Sequence, residues 1–304
     1  MVKRKTYNEI TWVSLENPLT QELTAIFDEF NVPESIRQEV VQDTERSRMD
    51  YFKNGVYLSL HFPAIKYETD TVDSEFDFIL FDKVLITVTH TPIKSLRVFD
   101  DFFEEKILTG RADIGNLAFN VFYFFMRQEY QSIISHIEDI SKAARDIEKQ
   151  VYQDINKRKL ETLTTLTHNV SDFRRALYLH KDVLESFFGV CVSRWSNIST
   201  SRIRRLQADV NEVLINLENN KEFLSDLKEA GDTLLNLKTN ETIKKLTVVN
   251  FMFLPLALVA GIFGMNTTSN LLILNSSERF IGLIGFMVIV SLCIYIYIKS
   301  KRWL

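Results

Sequence analysis

Residues 246–266 read LTVVNFMFLPLALVAGIFGMN, and the first 20 of them carry no formal charge. A second uncharged run of 19 residues, 280–298, follows after a short interval. In a helix rising 1.5 Å per residue the two reach roughly 30 Å and 28 Å, the thickness of a bilayer's hydrocarbon core. The core of a water-soluble protein seldom contains two such runs in succession, so both are predicted to span a membrane. Lys244 and Lys245 precede the first run, and Lys299, Lys301 and Arg302 follow the second. Basic flanks stay in the cytoplasm. The pattern therefore predicts a multi-pass protein of the inner or plasma membrane, with both termini cytoplasmic and the loop 266–279 outside.

The formal net charge is −4, and residues from 246 onward contribute +3 to it through Arg279, Lys299, Lys301 and Arg302 against Glu278, which leaves −7 on the first 245 residues. An acidic portion of this kind excludes nucleic acid as a partner, because neutralising phosphates needs a basic face. It suits cations. Cys191 and Cys293 are the only cysteines, so neither a disulfide framework nor a thiolate metal cluster is expected. His61, His90, His136, His168 and His180 are scattered without a metal-ligand spacing. The chain opens MVKRK and then turns polar, so no secretory signal is expected. No phosphate-binding Gly-rich loop, nucleophile elbow or HExxH helix is found, which points away from an enzyme, an ATP-driven pump and any organic cofactor.

Outward from the spans, the region 1–112 alternates short strand-like runs with polar breaks. Asn54-Gly55 is read as a turn joining strands 49–53 and 56–65, and Asp82-Lys83 as one joining 76–81 and 84–89. Thr20 and Asn31 stand ahead of the helical patterns 22–30 and 34–41 and are read as helix starts, making this an α/β domain. Between Pro92 and Pro255 there is no proline, and a three-to-four-residue apolar rhythm predicts long helices near 114–152, 157–188 and 201–265, with breaks at Asp154-Ile155-Asn156 and around 189–199. The last would be a rod of roughly 98 Å, carrying the first span on a cytoplasmic stalk. The organisation is thus a cytoplasmic α/β domain (1–112), a long-helix and stalk region (113–245) and a membrane domain (246–304).

Within the stalk and first span, Ile243, Leu246, Leu254, Ala257 and Gly261 recur at spacings of three, four and seven with Asn250 among them, a heptad-like face that several copies could pack around an axis. For Leu246 or Leu254 alone a packing stripe is the simpler reading. Asn250 shifts the balance, because an amide at bilayer depth is costly unless it meets a partner helix or water. The span ends in Gly264-Met265-Asn266. A helix C-terminus exposes unpaired carbonyls and the negative end of its dipole, which favours a cation, and the Asn266 amide oxygen suits the water shell of a hydrated ion.

Gly-Met-Asn at the outer end of the first of two carboxy-terminal spans, with Pro255 upstream and the ending Lys299-Ser300-Lys301-Arg302-Trp303-Leu304, resembles the CorA family of magnesium and divalent-cation transporters. The resemblance implies a homopentameric funnel, closed by self-association and embedded in lipid, that conducts Mg2+ and is gated by intracellular Mg2+, with Co2+, Ni2+ or Zn2+ as other cargoes. It implies that Gly264, Met265 and Asn266 form the entrance and that Asn240, Leu246, Asn250, Leu254, Ala257 and Gly261 face the conduction path, with Leu246 and Leu254 as apolar constrictions. The chain departs from the family in three places. The loop after the motif reads Thr267-Thr268-Ser269-Asn270 with Glu278 its single acid, Phe263 replaces the tyrosine common before the motif, and Arg205 occupies the place of a sensing aspartate. Asp209, Glu212, Asp226, Glu229 and Asp232 are candidate substitutes for that sensor, although a solvated helix acid is the simpler reading of each. Two other function classes stay open: a zinc-exporting or proton-coupled transporter, against which the few ionisable groups in the spans speak, and a non-conducting membrane-anchored sensor or scaffold.

Overall fold

The computed structural model describes residues 2–42, 44, 46–63, 74–91, 94–107, 109, 115–151, 156–264 and 277–300. Six strands, β1 (Val2–Tyr7), β2 (Ile10–Glu16), β3 (Arg48–Phe52), β4 (Gly55–Phe62), β5 (Ser74–Leu80) and β6 (Val84–Thr89), form one sheet in the order β1-β2-β6-β5-β4-β3. Among the described strands only β2 and β6 pair in parallel. The helices are α1 (Thr20–Glu29), α2 (Glu34–Val41), α3 (Lys94–Phe102) with a π-helical turn Phe103–Ile107, α4 (Ala118–Val151), α5 (Lys157–Leu177), α6 (His180–Arg194), α7 (Thr200–Gly264) and α8 (Ser277–Ser300). Two compact units result, one of residues 1–153 and 157–228 and the other of 154–156 and 229–304.

Strand alternation puts two apolar faces on the sheet. Val13, Leu15, Ile79, Ile86 and Val88 pack with Leu23, Ile26 and Phe27 of α1 and Ile36 and Val40 of α2. The opposite face is aromatic: Phe78 meets Phe122 and Phe125 of α4 at 5.2 and 5.4 Å, Trp12 meets Phe99 of α3 at 5.1 Å, and Phe62 meets His180 of α6 at 5.0 Å. Edge-to-face rings at these distances add directional attraction to plain burial.

The structure corrects several local expectations. Phe52 pairs with Gly55, so the β3–β4 turn turns on Lys53-Asn54 and Gly55 opens the next strand. Its glycine serves close approach: a Cβ there would lie 2.6 Å from both the Leu80 carbonyl oxygen and the Phe52 ring. The left-handed hairpin turn sits instead at Asn8-Glu9, with φ of 45° and 66°, in the unforeseen β1–β2 hairpin. Asn31, φ 53°, follows the end of α1 and does not start α2, whose cap is Pro33. The single helix expected over 157–188 is broken between Leu177 and His180. There the fully buried His180 donates from Nε2 to the His61 carbonyl (2.8 Å) and its Nδ1 accepts from the Tyr130 hydroxyl (2.8 Å). Burial holds that imidazole neutral, its pKa depressed to about 3. Gly189 lies inside α6, and the later break is confined to residues 195–199. Residues 64 and 65 of the expected strand and Asp154 and Ile155 of the expected break lie outside the described residues.

One buried group has a pH consequence. Glu129 on α4 is 6% exposed, and burial pushes its carboxyl up to about 8 against a hydrogen bond to Ser95 that pulls the other way. The fold therefore keeps a proton that the unfolded chain releases near 4.5, so the associated stability is complete below pH 4.5 and is lost as pH rises toward 8. Glu129→Gln is expected to melt near the wild-type temperature at pH 4.5 and above it at pH 8. The gap should widen by up to about 1.4 kcal/mol per pH unit in between. Tryptophan-monitored thermal unfolding at the two pH values checks this, and a pH-independent gap would place the titration elsewhere.

Candidate functional site

The candidate site is one face of α7 in the second compact unit. α7 continues unbroken from Thr200 to Gly264 and contains Pro255, which removes one backbone hydrogen bond of the helix. At about 100° per residue, Ile243, Leu246, Asn250, Leu254, Ala257 and Gly261 all point within about 40° of one direction, with Asn240 about 80° away. All seven are exposed in the single chain, Ile243 at 55%, Leu246 at 59% and Leu254 at 69%. No hydrogen bond within the described residues engages the Asn250 amide.

The other side of the same helix faces α8. Val248 is only 3% exposed, Met252, Pro255, Leu256 and Val259 are half-buried, and Met252 and Leu256 look onto α8 across a groove that Ile284, Val288 and Tyr295 line from the other side. Helical geometry places this side about 180° from Asn250. Between the two, Phe251, Leu258 and Ile262 on one flank and Phe253 on the other are all more than half exposed. Large apolar surface left open on both flanks of a span is suited to lipid or to further copies of the chain. The described part of α7 runs to Gly264, and Met265 and Asn266 lie outside the described residues.

Among 27 curated relatives and 36 solved chains that match, the family-level comparison spans nearly the whole sequence: the profile described as "CorA-like Mg2+ transporter protein" matches residues 7–302. The chain belongs to this family. The magnesium transport protein CorA of Salmonella typhimurium is 24% identical over 97% of this chain and 92% of its own length. The cobalt/magnesium transport protein CorA of Thermotoga maritima is 20% identical over 97% of this chain and 83% of its own. The solved structure of the CorA magnesium transporter from Methanocaldococcus jannaschii superposes with a TM-score of 0.78 at 17% identity, covering 99% of this chain and 93% of that one. The CorA-like fold, an N-terminal α/β domain followed by a long helix, is therefore shared. One described helical segment, Thr200–Ile262, is long and apolar enough to cross a membrane, and Ile284–Tyr297 is a shorter apolar helix.

The acids proposed as a CorA-type cytoplasmic sensor are distributed along α7 in two ways. Asp209 is 2% exposed, with Oδ2 accepting from Arg127 Nε at 3.1 Å and Oδ1 at 3.7 Å from Arg205 Nε. Its carboxylate is thus paired with the chain's own guanidinium groups, one of them Arg205 itself. A cation there would have to displace two charge-assisted contacts. Arg202 stacks beside this pair over Tyr123 and Phe124, 5.6 Å from each ring, so the surroundings of Asp209 are basic and aromatic. Glu212, Asp226, Glu229 and Asp232 are exposed, and no three His, Cys, Asp or Glu side chains converge among the described residues. Arg127 was missed by sequence reading because its partner lies 82 positions away on another helix.

Proposed function

We propose that this chain is a homopentameric channel for divalent cations, with Mg2+ as cargo and Co2+, Ni2+ or Zn2+ as other ions it can pass. The observation that carries the reading is the exposed stripe Ile243, Leu246, Asn250, Leu254, Ala257 and Gly261, turned away from α8 and leading to Gly264-Met265-Asn266. Two spans of one chain cannot enclose a pore, so the stripe needs further copies around a common axis; five is the number the family resemblance implies. In this arrangement 246–265 and 280–298 both cross the membrane, the termini are cytoplasmic, and Gly264, Met265 and Asn266 surround the outer mouth. Leu246 and Leu254 form apolar rings that close the path by dewetting. Asn240 and Asn250 offer amides to a hydrated ion. An inside-negative potential of 100 mV favours entry of a divalent ion by roughly 4.6 kcal/mol, so no energy source in the chain is required.

Intracellular Mg2+ closes the channel in this scheme by settling between neighbouring acidic domains, with exposed Glu212, Asp226, Glu229 and Asp232 as the acids that two copies can bring together. Ligand-dependent closure requires tighter binding to the closed state. Uptake into proteoliposomes, followed with a magnesium-sensitive dye and competed with Co2+, Ni2+ and Zn2+, tests the proposal. Saturable Mg2+ uptake driven by the membrane potential is expected. Uptake that instead follows an imposed pH gradient would favour a proton-coupled transporter, and no uptake at all would favour a sensor or scaffold.

A further inference from the structure

The groove between the end of α7 and α8 is separate from the conduction stripe and faces the opposite way. It is an open groove of about 510 Å³, with Met252 and Leu256 on one wall and Val288, Ser291 and Tyr295 on the other. Methionine at such a wall adapts to flexible apolar partners. Both lining stripes continue into a lysine on the cytoplasmic side. Lys245 precedes Met252 by seven residues and Leu256 by eleven, two and three turns along one helix face, and Lys299 follows Tyr295 by four residues on the corresponding face of α8. Both lysines are exposed and lie about 6–10 Å of helix rise beyond the nearest lining residue. Tyr295, amphipathic and next to the lysine, suits the membrane–water boundary. Lys244 adds to this positive end, and Glu241, one turn below Lys245, is the acid on the same stripe.

We propose that this groove holds an acyl chain of an anionic phospholipid whose phosphate is bound between Lys245 and Lys299. An apolar slot whose two walls each lead, along their own helix, to a lysine is complementary to a lipid with an acidic headgroup and has no use for the cation of a zwitterionic one. A second copy of the chain fits it poorly: copies related by rotation about the membrane normal stand at the same height, so a neighbouring α7 or α8 seated here would bring its own lysine against this pair. The inference rests on the two-span reading above.

Native mass spectrometry of the full-length protein from mixed micelles containing equal phosphatidylglycerol and phosphatidylcholine tests it. Wild type is expected to retain phosphatidylglycerol preferentially, and the double substitution Lys245→Gln/Lys299→Gln to lower that preference roughly tenfold. Val288→Trp, which fills the slot, should lower retention of both lipids without changing the number of copies in the assembly. Undiminished phosphatidylglycerol retention by the lysine double variant overturns the proposal. So does a Val288→Trp protein that keeps its lipid but changes its copy number, because the occupant would then be another copy of the chain. Cys293, exposed on α8, separates this from failure of the two-span reading. In sealed vesicles it should resist a membrane-impermeant maleimide, and prompt labelling would show that α8 does not cross, whatever lipid is retained.

Discussion

Replacing Asn266 with alanine is expected to lower divalent-cation uptake by well over tenfold while leaving the assembly intact. The amide oxygen is proposed to contact the water shell of the ion, which magnesium keeps because its inner waters leave slowly. One lost hydrogen bond of about 1 kcal/mol in each of several copies exceeds the 1.4 kcal/mol or so that corresponds to a tenfold change. Alanine removes the amide without adding bulk, so the oligomer should run unchanged on size exclusion. Dye-monitored Mg2+ uptake by proteoliposomes of matched protein content is the measurement. Wild-type flux from a well-assembled Asn266→Ala protein would move the ion entrance away from the Gly264-Met265-Asn266 end of α7.

Leu254→Ser should act in the opposite direction and raise resting conductance by roughly an order of magnitude. Leu254 is 69% exposed in the single chain and shares its helix face with Asn250, so in the proposed assembly its side chains surround the path. Burying a leucine is worth about 2 kcal/mol of transfer free energy, and exchanging it for a hydroxyl in every copy lowers the barrier to wetting by more than the 1.4 kcal/mol or so that equals a factor of ten. Leu246→Ser, two turns below on the same face, should behave likewise. Leu258→Ser is the control: it lies on the flank, is 62% exposed, and should leave the leak near wild type. Bilayer recordings in high internal Mg2+ give the resting value, and equal leaks from Leu254→Ser and Leu258→Ser would place the constriction elsewhere.

Periodicity was legible where one local force dominates. The charge-free run after Leu246 and the proline-free interval before it predict α7 to within a residue of its observed start and as one helix through the described residues to Gly264, and α2 has the expected bounds at both ends. Turn chemistry was less legible, because one residue type serves different needs. Gly55 was read for its backbone freedom, yet it is required by the Leu80 carbonyl 2.6 Å from where a Cβ would be. Asn31 has a start-like side chain but takes up the left-handed conformation that ends a helix. The α5–α6 break has no local signal at all, since the partners of His180 are Tyr130 and the His61 carbonyl, 50 and 119 positions away.

The same division holds for the site. The sequence by itself determined that Asn250 and the small and apolar residues at heptad spacing share one side of a helix, because a 3.6-residue period makes angular position a matter of counting. It likewise determined that the stretch ends in Gly264-Met265-Asn266. Counting cannot say which side is covered. Only the tertiary structure decided that α8 lies across Met252 and Leu256, leaving Asn250 and Leu254 exposed, and that Asp209 is buried against Arg127 and Arg205 while Glu212 is not. These outcomes depend on contacts between helices far apart in the chain, and burial or charge pairing at such contacts is a property of the neighbour as much as of the residue.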